Sequence, residues 1–139
     1  MLIREYQPAD LEIILSKMGG SNPQRRSDKL KSVEIIDSHT CLVAEEDSQI
    51  HGFIVADDLG KSKSYYISDI KVIEKRKGIG SQLVKETFNR IGPGGHICLC
   101  VDTDNEAAIK FYESLGFTWS GYTKEYRKGE DKHWYRKDI

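Results

Sequence analysis

Hydrophobic and polar positions change period along the chain, and the clearest change falls between residues 65 and 91. Over residues 65–72 the pattern alternates, with Tyr66, Ser68, Ile70 and Val72 on one side of a strand and Tyr65, Ile67, Asp69 and Lys71 on the other. Past Gly80 the repeat lengthens to that of a helix, carried by Ile79, Leu83, Val84, Phe88 and Ile91 and stopped by Gly92-Pro93. Residues 96–101 then form a near-continuous apolar run suited to an interior strand, so the unit reads strand, helix, parallel strand.

The same periods divide the rest. Residues 2–6 read as a short strand, and Pro8-Ala9-Asp10 opens a helix with Leu11, Ile14, Leu15 and Met18 on one stripe, ending at Gly19-Gly20. Residues 21–26 read as polar loop, after which Ser27 or Asp28 caps a second helix bearing Leu30, Val33 and Ile35 or Ile36. Residues 40–45 and 50–56 are β-branched, apolar runs joined by Glu46-Asp47-Ser48-Gln49, a hairpin, with Gly52 marking a bulge or close packing. Asp102-Thr103-Asp104-Asn105-Glu106 ends the interior strand and caps a helix showing Ala107, Ala108, Phe111, Tyr112 and Leu115 on one face before Gly116. Residues 117–126 and 132–137 close the chain as a hairpin.

At 139 residues this is a single domain, residues 1–139, with chain enough for one core. A net charge of -1 argues against a general nucleic-acid binder, which needs a broadly basic face. No run approaches the roughly 20 apolar residues that span a bilayer, so a cytoplasmic protein without membrane partners is expected. Cys41, Cys98 and Cys100 cannot all pair and are expected to be reduced, Cys98 and Cys100 as buried small hydrophobes on one side of their strand. No metal site is expected, because His39, His51, His96 and His133 are scattered.

The chemistry gathers where the central strand feeds the helix. Gly78 and Gly80 permit a tight turn and close backbone approach, the first helical amides lack partners, and Lys75, Arg76 and Lys77 add positive charge. An anion such as a phosphate or pyrophosphate suits this place; a solvated basic turn would read the same way. A dinucleotide fingerprint fails because Leu83 occupies its third glycine, and no G-K-[ST] follows.

The segment Asp69-Ile70-Lys71-Val72 followed by Lys75-Arg76-Lys77-Gly78-Ile79-Gly80 resembles the acetyl-CoA signature of the GCN5-related N-acetyltransferase (GNAT) family, D-[LI]-x-V and then [RQ]-x-x-G-x-[GA], with Lys75 in the Arg/Gln place. Asn105 through Phe117 is similar to the family's N-x-x-A-x-x-[FL]-Y-x-x-x-G-F, and Val43-Ala44-Glu45 with Ile50-His51-Gly52-Phe53 to its second and third strands. The resemblance implies an α/β fold: a mixed, mostly antiparallel sheet of about six or seven strands with a central splayed parallel pair, flanked by about four helices. It implies acetyl-CoA as donor, held by the backbone of Ile70, Lys71 and Val72, by the Lys75, Arg76, Lys77, Gly78, Ile79, Gly80 and Ser81 loop, and by Asn105, Ala108 and Phe111. Tyr112 is the implied general acid for the departing thiolate, although a tyrosine on a buried helical stripe also reads as core. Asp69 is the expected general base, ahead of Glu45 and Asp102.

Acetyl transfer to a primary amine in a ternary complex is the implied reaction, and a CoA-binding or sensing module of the same fold is the alternative. The acceptor, a small molecule or peptide amine, is expected between residues 19–26, the second helix and the final hairpin, in a monomer or homodimer.

Overall fold

The computed structural model describes residues 1–74 and 78–139. Among them, one sheet is built from β1 (Leu2–Glu5), β2 (Thr40–Glu46), β3 (Gln49–Asp58), β4 (Ser64–Val72), β5 (His96–Asp102), β6 (Thr118–Arg127) and β7 (Glu130–Asp138), in the order β1-β2-β3-β4-β5-β7-β6. The helices are α1 (Leu11–Met18), entered through a 3-10 turn at Pro8–Asp10, α2 (Pro23–Ile35), α3 (Ile79–Ile91) and α4 (Glu106–Ser114). Neighbouring strands run antiparallel except β4 and β5, the pair that α3 connects. The mixed sheet with a parallel pair and four helices agrees with the expected fold class. No helix among the described residues is long and apolar enough to cross a membrane.

The sheet buries both faces. On one, α3 and α4 cover Leu42, Ala44, Ile54, Ile67 and Leu99 with Leu83, Val84 and Tyr112. On the other, α1 and α2 cover Val43, Phe53 and Val55 with Ile14, Met18 and Leu30. That double burial is why β2 and β3 read as continuous apolar runs. Leu83 is wholly buried at the centre of the first layer. Leu83→Ala is expected to cost about 2–5 kcal/mol, read as a lower urea midpoint with unchanged slope.

Three local features differ from the sequence reading. α2 starts at Pro23, four residues before the expected cap, because Asn22 accepts from the Arg25 amide and Pro23 fits the first helical turn. Its opening turn is polar and so resembles loop. In α4, Ala107 faces solvent and Ile109 packs on the core in its place. The strand β4 carries a bulge: Val55 pairs with Asp69 and Ala56 with Ile67, leaving Ser68 unpaired. One extra residue reverses the side-chain parity beyond it. Ile67, Ile70 and Val72 therefore all pack toward α3 and α4, while Asp69 turns to the face of α1 and α2.

Gly52 sits where a side chain has no space, since a Cβ there would lie 2.9 Å from Val72 Cγ1 and 3.0 Å from the Lys71 carbonyl oxygen. Close strand packing is the reason for glycine here. The hairpin between β2 and β3 turns through Asp47 and Ser48, both at positive φ (53° and 62°), as a two-residue turn requires.

The entry to α1 is fixed by Asp10, which is nearly buried and accepts from Arg4 Nη1 at 2.9 Å, Arg4 Nη2 at 3.0 Å and the Gln7 amide at 2.8 Å. Burial alone would push this carboxyl up; the Arg4 and Gln7 bonds outweigh it and hold the group below its ordinary value. A carboxyl depressed by folding stabilises above its unfolded pKa, and the contribution fades as pH falls through the lower folded value. Asp10→Asn should thus destabilise near pH 7 and lose that effect toward about pH 2, as urea midpoints at the two pH values will register.

Candidate active site

β4 and β5 pair only at Ser64 with His96, Tyr65 with Ile97 and Tyr66 with Cys98. Beyond that point β4 stays hydrogen-bonded to β3 through Val72 and β5 to β7 through Asp102, so the two parallel strands diverge. The inner edge of β4 from Ile67 onward is left without a strand partner among the described residues. Buried or half-buried backbone groups need partners, and an extended amide-rich molecule could pair with this edge as an added strand.

At the far end of β4 the chain enters α3 through Gly78, whose φ of 67° is the left-handed conformation glycine allows. The first intrahelical bond runs from the Gln82 amide to the Gly78 carbonyl, 3.1 Å, so the amides of Ile79, Gly80 and Ser81 precede it. Gly80 lies against α4: a Cβ there would stand 3.2 Å from Phe111 Cζ. A diphosphate suits this place, because the first amides and the positive end of a 13-residue helix point there. Lys75, Arg76 and Lys77 of the sequence motif lie outside the described residues. The Ile79 side chain is buried in the core, so only its backbone is available.

Tyr112, on α4, belongs to the core layer that β4, β5 and α3 share. α4 starts at Asn105, whose side-chain oxygen accepts from the Ala108 amide at 3.1 Å; the side chain is thus a helix cap. Ala108 and Phe111 are half-buried against the first core layer, and Tyr112 is 6% exposed, edge-on to Phe111 at 5.0 Å and to Phe117 at 5.5 Å. Its hydroxyl has no hydrogen-bond partner among the described residues. Burial first, and then the charge of Asp69, push it up to about 12, so the hydroxyl carries its proton throughout the neutral range.

Asp69 is engaged on both oxygens. Arg26 of α2 donates Nε to Oδ2 at 2.7 Å and Nη2 to Oδ1 at 2.9 Å, places its guanidinium 5.3 Å from the Phe53 ring centre, and bonds the Met18 carbonyl with Nη1. Each carboxylate oxygen retains a further acceptor position. Arg26 was read from sequence only as part of a basic loop; the bulge at Ser68, which period-2 reading does not reveal, turns Asp69 toward it.

Next to this pair opens a cleft of about 700 Å³, walled by the α1–α2 connection, α2 and the β6–β7 hairpin, and floored by Tyr66, Ser68, Asp69 and Cys100. These are the walls expected from sequence. Cys98 and Cys100 are only half-buried, contrary to the expectation of core cysteines, because β5 buries Ile97, Leu99 and Val101 on its other side. Cys100 Sγ lies 3.4 Å from the Tyr66 hydroxyl. Of the hairpin aromatics, Tyr126 lines the cleft and Tyr135 is buried, whereas Trp119 and Tyr122 are exposed beside His133. Glu45 bonds Arg4 at 3.4 Å and Asp102 bonds Lys132 at 2.7 Å; of the three carboxylates, Asp69 is the one whose charge acts on the tyrosine.

Comparison with known proteins agrees with this fold. A curated relative, the N-alpha-acetyltransferase RimI of Mycobacterium tuberculosis, is 38% identical over 64 residues, 45% of this chain and 40% of that protein's length. An aminoglycoside 6'-N-acetyltransferase complexed with coenzyme A superposes with a TM-score of 0.85 at 18% identity, covering 99% of this chain and 96% of the other. The ribosomal-protein-S18-alanine N-acetyltransferase of Escherichia coli superposes with a TM-score of 0.81 at 19% identity, covering 97% and 91%. The model of the acetyltransferase (GNAT) family matches residues 9–117, most of the chain, which therefore belongs to that family.

Proposed function

We propose that this protein transfers acetyl from acetyl-CoA directly to a primary amine lodged in the cleft beside Asp69. The observation that carries this is the divergence of β4 from β5 beyond Tyr66, with the bare start of α3 at one end and the Tyr112 hydroxyl alongside. Acetyl-CoA supplies an activated acyl group on a thiol leaving group. The free edge of β4 at Ile70, Lys71 and Val72 holds the pantetheine, and a backbone N–H there stabilises the developing oxyanion, worth about 3 kcal/mol for such a donor. The amides of Ile79, Gly80 and Ser81, with Gly78 leaving the approach open, hold the diphosphate, joined by Lys75, Arg76 and Lys77. Ala108 and Phe111 shape the wall, and the Asn105 cap fixes the start of α4.

Tyr112 gives its proton to the departing thiolate, a role for which a hydroxyl held up to about 12 is always charged with its proton. Asp69 takes the proton of the attacking amine through the acceptor positions that Arg26 leaves open. The match to an N-alpha-acetyltransferase supports an α-amine as acceptor.

A second reading is a CoA-binding module without turnover, favoured by the occupation of both Asp69 oxygens. Calorimetry with CoA and thiol release from acetyl-CoA with a panel of amines separate the two. Binding with turnover above hydrolysis supports acetyl transfer; binding without it supports the module, and no heat with CoA overturns both.

A further inference from the structure

The chain as a whole carries a net charge of -1, yet the acceptor cleft is cationic at its mouth. Most ionic side chains lining it are spent on each other. Arg26 holds Asp69, Lys29 donates to Asp57 at 2.8 Å, and Lys132 reaches Asp102 at 2.7 Å and Glu130 at 3.7 Å. Arg25 and Arg127 are not spent. Both are exposed, one on α2 and one at the end of β6, and neither guanidinium has a carboxylate partner among the described residues. The one exposed acid that lines the cleft among the described residues, Asp28, accepts from Gln24 at 2.8 Å.

The floor is made of pairs: Arg26 and Lys132, 16% and 13% exposed, lie as deep as the carboxylates, so the guanidiniums left over are those at the mouth. Asp57 and Asp69 are low in the cleft, their side chains 16% and 18% exposed, and the Asp57 Oδ1 atom is buried without a hydrogen-bond partner. Carboxylates at the floor suit an incoming amine, and guanidiniums at the mouth suit carboxylates, which they bind in bidentate fashion. A polycation would meet Arg25 and Arg127 first.

We infer that the acceptor is a peptide N-terminus followed closely by acidic residues, entering amine first with its carboxylates against Arg25 and Arg127. The inference rests on the acetyl-transfer reading above and narrows its substrate class. A cleft of about 700 Å³ has room for a short peptide segment.

The test compares a peptide bearing glutamates at its second and third positions with the same peptide bearing lysines there, and with an aminoglycoside. Thiol release gives kcat/KM, and fluorescence anisotropy gives peptide binding to the CoA-loaded protein. The glutamate peptide should be preferred by on the order of fivefold in both readouts at low salt, the sum of two exposed ion pairs, and high salt should erase the preference. Arg25→Glu combined with Arg127→Glu should invert it. Equal use of the two peptides, preference for lysine or the aminoglycoside, or a preference unmoved by the double variant overturns the inference while leaving acetyl transfer standing. Neither binding nor turnover with any of these amines overturns the acetyl-transfer reading along with it.

Discussion

Tyr112→Phe is expected to lower kcat for thiol release by about 10²–10³-fold, the range for loss of a positioned general acid, while KM for acetyl-CoA changes little. The prediction is sharp because the hydroxyl does no detectable structural work. The ring packs edge-on against Phe111 and Phe117, and those contacts survive in phenylalanine; the hydroxyl has no partner among the described residues to lose. Thermal stability should therefore change little, since the ring contacts persist and no protein hydrogen bond is lost. Were the hydroxyl merely a core group, the rate would be unaffected and only the melting point would move. The pH dependence gives a second check. An acid held up to about 12 stays protonated, so the alkaline limb of kcat should show no loss of a proton donor through about pH 10. A fall in kcat centred well below that would remove Tyr112 from the role.

Much of this was legible before any coordinates. The unit from Tyr65 to Val101 carries two changes of period and two glycines at the turn, and its order of strand, helix and parallel strand is as read, because α3 is long and strongly one-sided and β5 is buried on its inward positions. The motif around Asn105 and Tyr112 likewise falls on one short helix whose cap and buried stripe are local properties. What sequence hid is longer in range. A bulge at Ser68 leaves no compositional trace, yet it decides which face Asp69 occupies. The Asn22-Pro23 start of α2 was visible as a cap followed by proline, but a first turn of Gln24, Arg25 and Arg26 has no apolar residue to announce a helix. The half-exposure of Cys98 and Cys100 follows from their place on the side of β5 opposite Ile97, Leu99 and Val101, and which side meets the core is set by the neighbouring elements.

Arg26 is where fold and site are joined, and Arg26→Ala should be felt in both. The side chain ties α2 to β4 through two charge-assisted bonds to Asp69, ties it to the end of α1 through the Met18 carbonyl, and covers the Phe53 ring. Removing it strands a carboxylate whose side chain is only 18% exposed. Breaking one partner of a fully buried pair costs about 3–5 kcal/mol; residual solvent access here scales that to about 2–3 kcal/mol. For a domain of this size that is on the order of an 8 °C fall in melting temperature. Asp69→Ala leaves Arg26 still bonded to the Met18 carbonyl and over the Phe53 ring, and should cost less. In the double variant the stranded charge is gone, so the loss should fall short of the sum by about 1–2 kcal/mol, a coupling that simple additivity would not give. Activity separates the two residues further. Loss of Asp69 should reduce kcat by about 10²-fold if it takes the amine proton, and raising the pH should recover part of that by supplying free amine. Loss of Arg26 should act mainly on KM for the acceptor, since it frees the wall of the cleft and leaves the carboxylate in place. Equal kinetic defects in both variants, unrescued by pH, would mean that the pair only holds α2 against the sheet and that the amine loses its proton elsewhere.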